Sequence, residues 1–216
     1  MLKINEIAPN FEAETTSGKI DFHNWASDSW VILFSHPKDF TPVCTTELGY
    51  MAKIESEFTS RNCKLIGLSI DSLDDHNRWK KDIEEVQGVS VNYPLIADED
   101  LNIAKLYNML PLEEQADNSR TAMTNATVRS VFLIDPDKKI RMMLTYPMTT
   151  GRNFDEILRV LDSVQLTSKF KVATPANWKK EDKVIIVPAL SDDEAKEVFG
   201  EFEKIKSYLR FTKLNK

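Results

Sequence analysis

The sequence predicts an α/β layered fold with a small α+β region appended at its C-terminal end. Three observations predict it. Apolar, β-branched runs alternate with helix-spaced segments, a hairpin pattern follows them, and the texture changes after about residue 166. The chain has 216 residues, 42% of them hydrophobic. That is long enough for one ordinary domain plus a smaller addition, and apolar enough to build a core.

Ser29-Trp30-Val31-Ile32-Leu33-Phe34-Ser35 has the composition of a buried strand, and Lys64 to Ile70 is a second. Between them, Thr45 to Phe58 carries Leu48, Met51, Ala52, Ile54 and Phe58 at roughly helical spacing. The result is a βαβ unit, with parallel strands and a right-handed crossover. A further helix is expected from Leu73 to Val86, with Ser72 as its N-cap. Pro94-Leu95-Ile96 is a short strand candidate and Glu99 to Tyr107 a short helix. Arg129 to Ile134 and Ile140 to Tyr146 flank the turn Asp135-Pro136-Asp137-Lys138-Lys139, the pattern of an antiparallel hairpin. Asn153 then caps a helix through Leu161, with Asp155 and Glu156 where the helix dipole favours acids. Beyond it lie Pro175, Pro188, a strand candidate from Lys183 to Val187, an acidic helix from Asp192 to Phe199 and a lysine-containing tail. Domains are therefore expected at 1–165 and 166–216.

Charge and cysteine usage narrow the function. A formal net charge of −6 argues against non-specific nucleic-acid binding, which needs a basic face. The first residues, Met1-Leu2-Lys3-Ile4-Asn5-Glu6, lack the apolar run of a signal peptide. No stretch approaches the roughly 18 apolar residues of a membrane span. Two cysteines, Cys44 and Cys63, are too few for a disulfide framework or a zinc site. A cytoplasmic protein in a reducing compartment is expected, without metal or cofactor. There a cysteine is either packing material or a reagent.

Cys44 lies in Pro37-Lys38-Asp39-Phe40-Thr41-Pro42-Val43-Cys44-Thr45-Thr46-Glu47, which follows a buried strand and opens a helix. A sulfur in the first helical turn sits among unpaired N–H groups at the positive end of the dipole, a setting that favours thiolate. Thiolate is the species that attacks a peroxide O–O bond. Thr41 is placed to aim its hydroxyl at that sulfur or at a bound peroxide, and Pro37 and Pro42 restrict the loop. A buried cysteine near a helix start is the plainer alternative. Its polar, proline-flanked position at a strand's carboxyl end favours a site.

The pattern Pro37-x-x-x-Thr41-x-x-Cys44 resembles the signature of the peroxiredoxins, and Ser35 to Gly49 resembles their one-cysteine, peroxiredoxin-six type subfamily. The resemblance continues through Leu68-Ser69-Ile70-Asp71-Ser72, Tyr146-Pro147-x-Thr149-Thr150-Gly151-Arg152-Asn153-Phe154-Asp155-Glu156-Ile157-Leu158-Arg159 and Val172-Ala173-Thr174-Pro175. It implies a thioredoxin-like core with a central mixed sheet flanked by helices, and a C-terminal domain that contributes to a homodimer. It also implies a thiol-dependent peroxidase acting on hydrogen peroxide and organic hydroperoxides. Cys44 is then the peroxidatic cysteine, oxidised to sulfenic acid and reduced by an external thiol: glutathione, glutaredoxin or thioredoxin. Arg129 matches the family's active-site arginine and Arg152 a second one. Read alone, each is more plainly a solvated charge. Glu47 either orients an arginine or simply suits the helix dipole, and His36 either hydrogen-bonds near Cys44 or packs.

Cys63 is the one candidate for a resolving partner. A straight helix over 45–60 puts it about 24 Å from Cys44 at roughly 1.5 Å per residue, against the about 7 Å a disulfide tolerates. A core thiol is the expectation. Two other classes remain open, a thioredoxin-like binding or holdase protein and a serine lipid hydrolase. The second would use Ser29, His23 and Asp137, which match a phospholipase site assigned to some peroxiredoxin-six proteins. Its nucleophile elbow needs glycines where this chain has Ser27 and Val31.

Overall fold

The computed structural model describes residues 2–111 and 126–214. Its first strands, β1 (Glu12–Thr15) and β2 (Gly18–Asp21), form a short hairpin that precedes α1 (Phe22–Ala26). The expected parallel pair follows as β3 (Trp30–Ser35) and β4 (Cys63–Ser69). All six residues of β3 are buried. A central strand has sheet neighbours on both sides and is covered on both faces, so its sequence is continuously apolar rather than alternating.

The connection differs from the single helix expected. α2 (Pro42–Lys53) starts at Pro42, where a missing N–H costs nothing. It stops at Ile54 (φ −104°, ψ 11°), and α3 (Glu55–Thr59) begins afresh. Glu55 and Glu57 favour a new helix start there, and Phe58 of the second helix is buried.

α4 (Leu73–Gln87) is capped as expected, Ser72 accepting from the Asp75 N–H, and it ends on Gly88 in the left-handed region at φ 67°. β5 (Leu95–Ala97) and α5 (Asn102–Leu106) come next; the helix is shorter than the 99–107 expected. β6 (Arg129–Ile134) and β7 (Ile140–Tyr146) form the expected hairpin, with Ile134 opposite Ile140. Lys138 takes the left-handed turn position at φ 65°, and Asp135 Oδ1 accepts from the Lys139 N–H.

These strands make one mixed sheet of order β2-β1-β5-β4-β3-β6-β7. β3, β4 and β5 are parallel; β6 and β7 are antiparallel to their neighbours. The carboxyl end of β3, the start of β6 and the end of β7 therefore share one edge of the sheet, since Phe34 faces Val131 and Arg129 faces Tyr146. That edge collects residues 36–44, 127–129 and 147–152.

The chain divides into two compact units, Met1–Asn153 and Phe154–Lys216. The division expected at 165/166 falls inside α6 (Phe154–Lys169), which runs past Leu161. The second unit continues with β8 (Val172–Ala173), β9 (Val184–Ile186), α7 (Asp192–Phe199), β10 (Glu203–Lys206) and β11 (Leu209–Thr212). Its strands form a sheet of order β10-β11-β9-β8 over a small core of Val172, Trp178 and Val184, with Ile186, Leu190 and Ala195 beside α7. A Ser191–Glu194 capping box starts α7. Buried Arg210 donates to the carbonyls of Val187 and Leu190 and to Asp192.

In the central sheet, Gly67 makes room for Phe34 and Leu95. A Cβ there meets Leu95 Cδ2 at 2.7 Å and Phe34 Cζ at 3.2 Å. Gly67→Ala is expected to cost about 1–3 kcal/mol by overpacking, read by urea denaturation; an unchanged midpoint contradicts this packing.

Candidate active site

Cys44 lies in the first turn of α2, two residues after Pro42 and completely buried. Thr41 is the N-cap and contributes no side-chain cap bond. Its Oγ1 donates to the Lys38 carbonyl at 2.8 Å. The proton that was expected to face the sulfur or a peroxide is thus already used, and Thr41 offers lone pairs instead. The first helical bond, Thr45 N–H to Thr41 carbonyl at 3.0 Å, leaves the N–H groups before it outside the helical ladder.

Glu47 stands one turn along the same helix face as Cys44, the relation that places i and i+3 side by side. Its Oε1 accepts from the backbone N–H of Arg152 at 2.8 Å and from Arg152 Nε at 2.9 Å. Its Oε2 accepts from Arg152 Nη2 and Arg129 Nη1, both at 2.7 Å. Burial pushes Glu47 upward, but Arg152's hydrogen bonds and charge, with Arg129 behind them, hold it below the usual carboxylate range. A glutamate suiting only the helix dipole would show none of these partners.

Arg129 aims the same Nη1 at Cys44 Sγ, 3.4 Å away. Its Nε and Nη2 grip the Met148 carbonyl at 2.8 and 2.6 Å, which fixes the plane of the guanidinium. Arg152 Nη1 donates to the carbonyls of Ser35 (2.9 Å) and Ser130 (3.0 Å). Both arginines are buried, so neither is a solvated charge. One carboxylate faces two guanidinium groups, and the remaining positive charge points at the sulfur. Such an arrangement holds an anionic sulfur and the oxygens of a molecule approaching it.

His36 is buried at the end of β3, its Nε2 2.7 Å from Asp39 Oδ1. Pro37 is buried beside it. Phe40, between Asp39 and Thr41, is exposed and takes φ 55°, a costly conformation for an aromatic residue and a mark of a functional loop. The sequence reading missed the Met148 carbonyl, Asp39 and His76. A backbone acceptor leaves no side-chain signal, and both side chains sit in polar segments that look solvated.

Cys63 opens β4 opposite Trp30, at the far end of β3 from the site. β3 is six residues long, and strands of that length span roughly 17–20 Å. The separation expected from a straight helix therefore survives the break at Ile54, and both cysteines are free. Burial pushes the Cys63 thiol well up, as suits packing. Ser29 Oγ donates to Asn62 at 3.1 Å, and His23 Nε2 donates to the Ala8 carbonyl at 2.8 Å. Neither group is spent on the other, as a hydrolase pair requires.

Residues 4–143 match the model of the AhpC/TSA family, and residues 163–201 match that of the C-terminal domain of 1-Cys peroxiredoxin. A 1-Cys peroxiredoxin from Dictyostelium discoideum is 53% identical over 212 residues, covering 98% of this chain and 85% of the relative. Among solved structures, a cysteine-to-serine mutant of the peroxiredoxin 6 of Arenicola marina is similar at a TM-score of 0.92 and 46% identity, covering 100% of both chains. The yeast mitochondrial 1-Cys peroxiredoxin, described with a thiol resolving mechanism via glutathione/thioredoxin systems, gives 0.90 and 53%, covering 99% of this chain and 100% of its own.

Arg129→Lys keeps the charge but cannot reach Met148, Glu47 and Cys44 together. Stopped-flow measurement of Cys44 oxidation by hydrogen peroxide is expected to show at least a tenfold slower rate, about 1.4 kcal/mol or more in the barrier. An unchanged rate returns Arg129 to a structural role.

Proposed function

Because this chain belongs to the one-cysteine peroxiredoxins, which are thiol-dependent peroxidases, we propose that Cys44 is the residue on which the peroxide is reduced. The observation that carries this reading is the 3.4 Å approach of Arg129 Nη1 to Cys44 Sγ, in a site where Glu47 already offsets the second arginine. The Cys44 thiolate attacks one peroxide oxygen. An S–O bond forms as the O–O bond breaks, and the departing oxygen leaves as an alcohol or water after taking a proton. Cys44 becomes a sulfenic acid. Arg129 donates to the sulfur and to the oxygens in line with it, and Thr41 offers a lone pair to a peroxide O–H.

One thiol then attacks the sulfenic sulfur, releasing water and forming a mixed disulfide. A second thiol displaces Cys44 from it. The sum is ROOH plus two thiols giving ROH, water and a disulfide. Cys63, buried and a strand length away, is not the resolving thiol, so the reductant comes from outside. Glutathione, glutaredoxin and thioredoxin are the candidates, in keeping with the systems described for the yeast relative. We assign the enzyme to the cytoplasm, where such thiols are held reduced. No helix among the described residues is long and apolar enough to cross a membrane. A homodimer is proposed from the second unit, which leaves Val198, Ile205 and Tyr208 more than half exposed.

Native mass spectrometry after one equivalent of peroxide tests these assignments together. A dimer is expected, with one oxygen added per chain at Cys44 and no disulfide. Cys44→Ser should abolish peroxide reduction and Cys63→Ser should retain it. A Cys44–Cys63 disulfide, within or between chains, overturns the one-cysteine assignment.

A further inference from the structure

Among the described residues, His36, Asp39 and His76 bring their nitrogen and oxygen atoms within 4.8 Å of one another, and all three are buried. His76 Nδ1 lies 2.6 Å from Asp39 Oδ2, and His36 Nε2 lies 2.7 Å from Asp39 Oδ1. These are charge-assisted hydrogen-bond lengths. They are shorter than the roughly 3.3 Å that two ligands of a tetrahedral zinc keep, given metal–ligand bonds of about 2.0–2.2 Å.

Proton positions follow from the partners. His76 Nε2 is 3.0 Å from the Ile96 carbonyl, which only accepts, so Nε2 carries a proton. Burial opposes ionisation of Asp39, but hydrogen bonds from His36 and His76 bring it down to about 2, so both its oxygens accept. His76 Nδ1 therefore donates as well, and the ring is an imidazolium. Burial works against that charge, and Asp39 outweighs it, raising His76. His36 donates from Nε2, while its buried Nδ1 has no partner.

We infer that His76 is a positioning residue of the peroxidase reaction: clamped between Asp39 and the Ile96 carbonyl, it fixes the loop that carries His36, Phe40 and Thr41 to Cys44. This rests on the assignment of Cys44 as the reacting residue. Asp39 is the hub of that loop. Its carboxylate ties the loop to β3 through His36 and to α4 through His76, and its N–H donates to Asp71 at 2.9 Å. Such over-determination is what holds Phe40 at φ 55° in the next position. Thr41, the N-cap of α2, follows directly. One turn along α4 from His76, Trp79 packs on the His36 ring at 5.2 Å and donates Nε1 to Thr45 Oγ1 at 3.3 Å. α4 thus holds the site at two points, through His76 and Trp79.

The charged and titratable groups around His76 are Asp39 and His36 from the loop, Asp71 from the β4–α4 connection and Asp75 on its own helix. Asp75 is itself paired with Arg78 and accepts from Ser72. Acids predominate, so these neighbours favour the protonated His76 ring.

The ring nitrogens of the three histidines in the ¹⁵N-labelled full-length protein give the direct test. At about pH 7.5, one unit above an ordinary histidine, His76 is expected to show both nitrogens protonated. His76→Gln, checked as folded by circular dichroism, should slow oxidation of Cys44 by hydrogen peroxide at least tenfold. It should also lose the alkaline decline that deprotonation of His76 gives the parent. A neutral His76 ring overturns the inference even if the variant fails to fold. So does a parental rate in folded His76→Gln, or stoichiometric zinc in the parent that the variant lacks. A parent whose Cys44 resists peroxide sinks the peroxidase assignment itself, and is seen before any variant is made.

Discussion

A single carboxylate buried between two guanidinium groups is the constraint on which this candidate active site depends. Taking an ion out of water costs several kcal/mol even after relaxation, and a buried pair is tolerated only when its remaining donors and acceptors are satisfied. Glu47 meets that condition with four accepted hydrogen bonds, three from Arg152 and one from Arg129. The arginines place their other donors on backbone carbonyls of Ser35, Ser130 and Met148. The Arg129 Nη1 that meets Glu47 also lies against Cys44 Sγ. The cluster holds one carboxylate against two guanidinium groups, and a donor of the second meets the sulfur.

The fold makes this arrangement by bringing three chain segments to one edge of a mixed sheet. β3 delivers Ser35 and the loop into α2, β6 begins with Arg129, and the segment after β7 supplies Met148 and Arg152. Parallel β3–β4 pairing needs a crossover helix, and the start of that helix is where Cys44 sits. Antiparallel β6 starts at that same edge and runs away from it, so an arginine at its first residue faces the helix start. The same topology keeps Cys63 at the opposite end of β3. Its isolation is therefore a property of the sheet and does not depend on a straight helix.

Much of this was legible in the sequence, for identifiable reasons. The apolar runs of β3 and β4, the flanked turn at 135–139 and the cap at Ser72 are local signals, and the structure keeps them. The placement of Cys44 near a helix start was readable from the prolines and threonines around it. The hairpin β1–β2 was not, because the buried face of Glu12–Thr15 carries only a small Ala13 and a polar Thr15, a weak strand signal. Ile54 continues the helical spacing in sequence, yet α2 ends there and α3 begins afresh with Glu55 and Glu57 in its first turn. Thr41 kept its place and changed its bond, to a carbonyl three residues back that no motif marks. Residue pattern left the arginines ambiguous between solvated and catalytic. Long-range partners such as Glu47 and Met148 show both to be buried and paired, and only the assembled sheet edge brings those partners to them.

The most direct measurement of the central claim is the rate of Cys44 oxidation by hydrogen peroxide in Glu47→Gln, followed by stopped flow beside the parent. The amide keeps the size but removes the charge that holds both arginines, and it cannot accept all four hydrogen bonds. The account predicts a fall of at least tenfold in a variant that remains folded, about 1.4 kcal/mol or more in the barrier. A folded Glu47→Gln protein reacting at the parental rate would contradict it, and would show that Arg129 reaches Cys44 without the buried carboxylate.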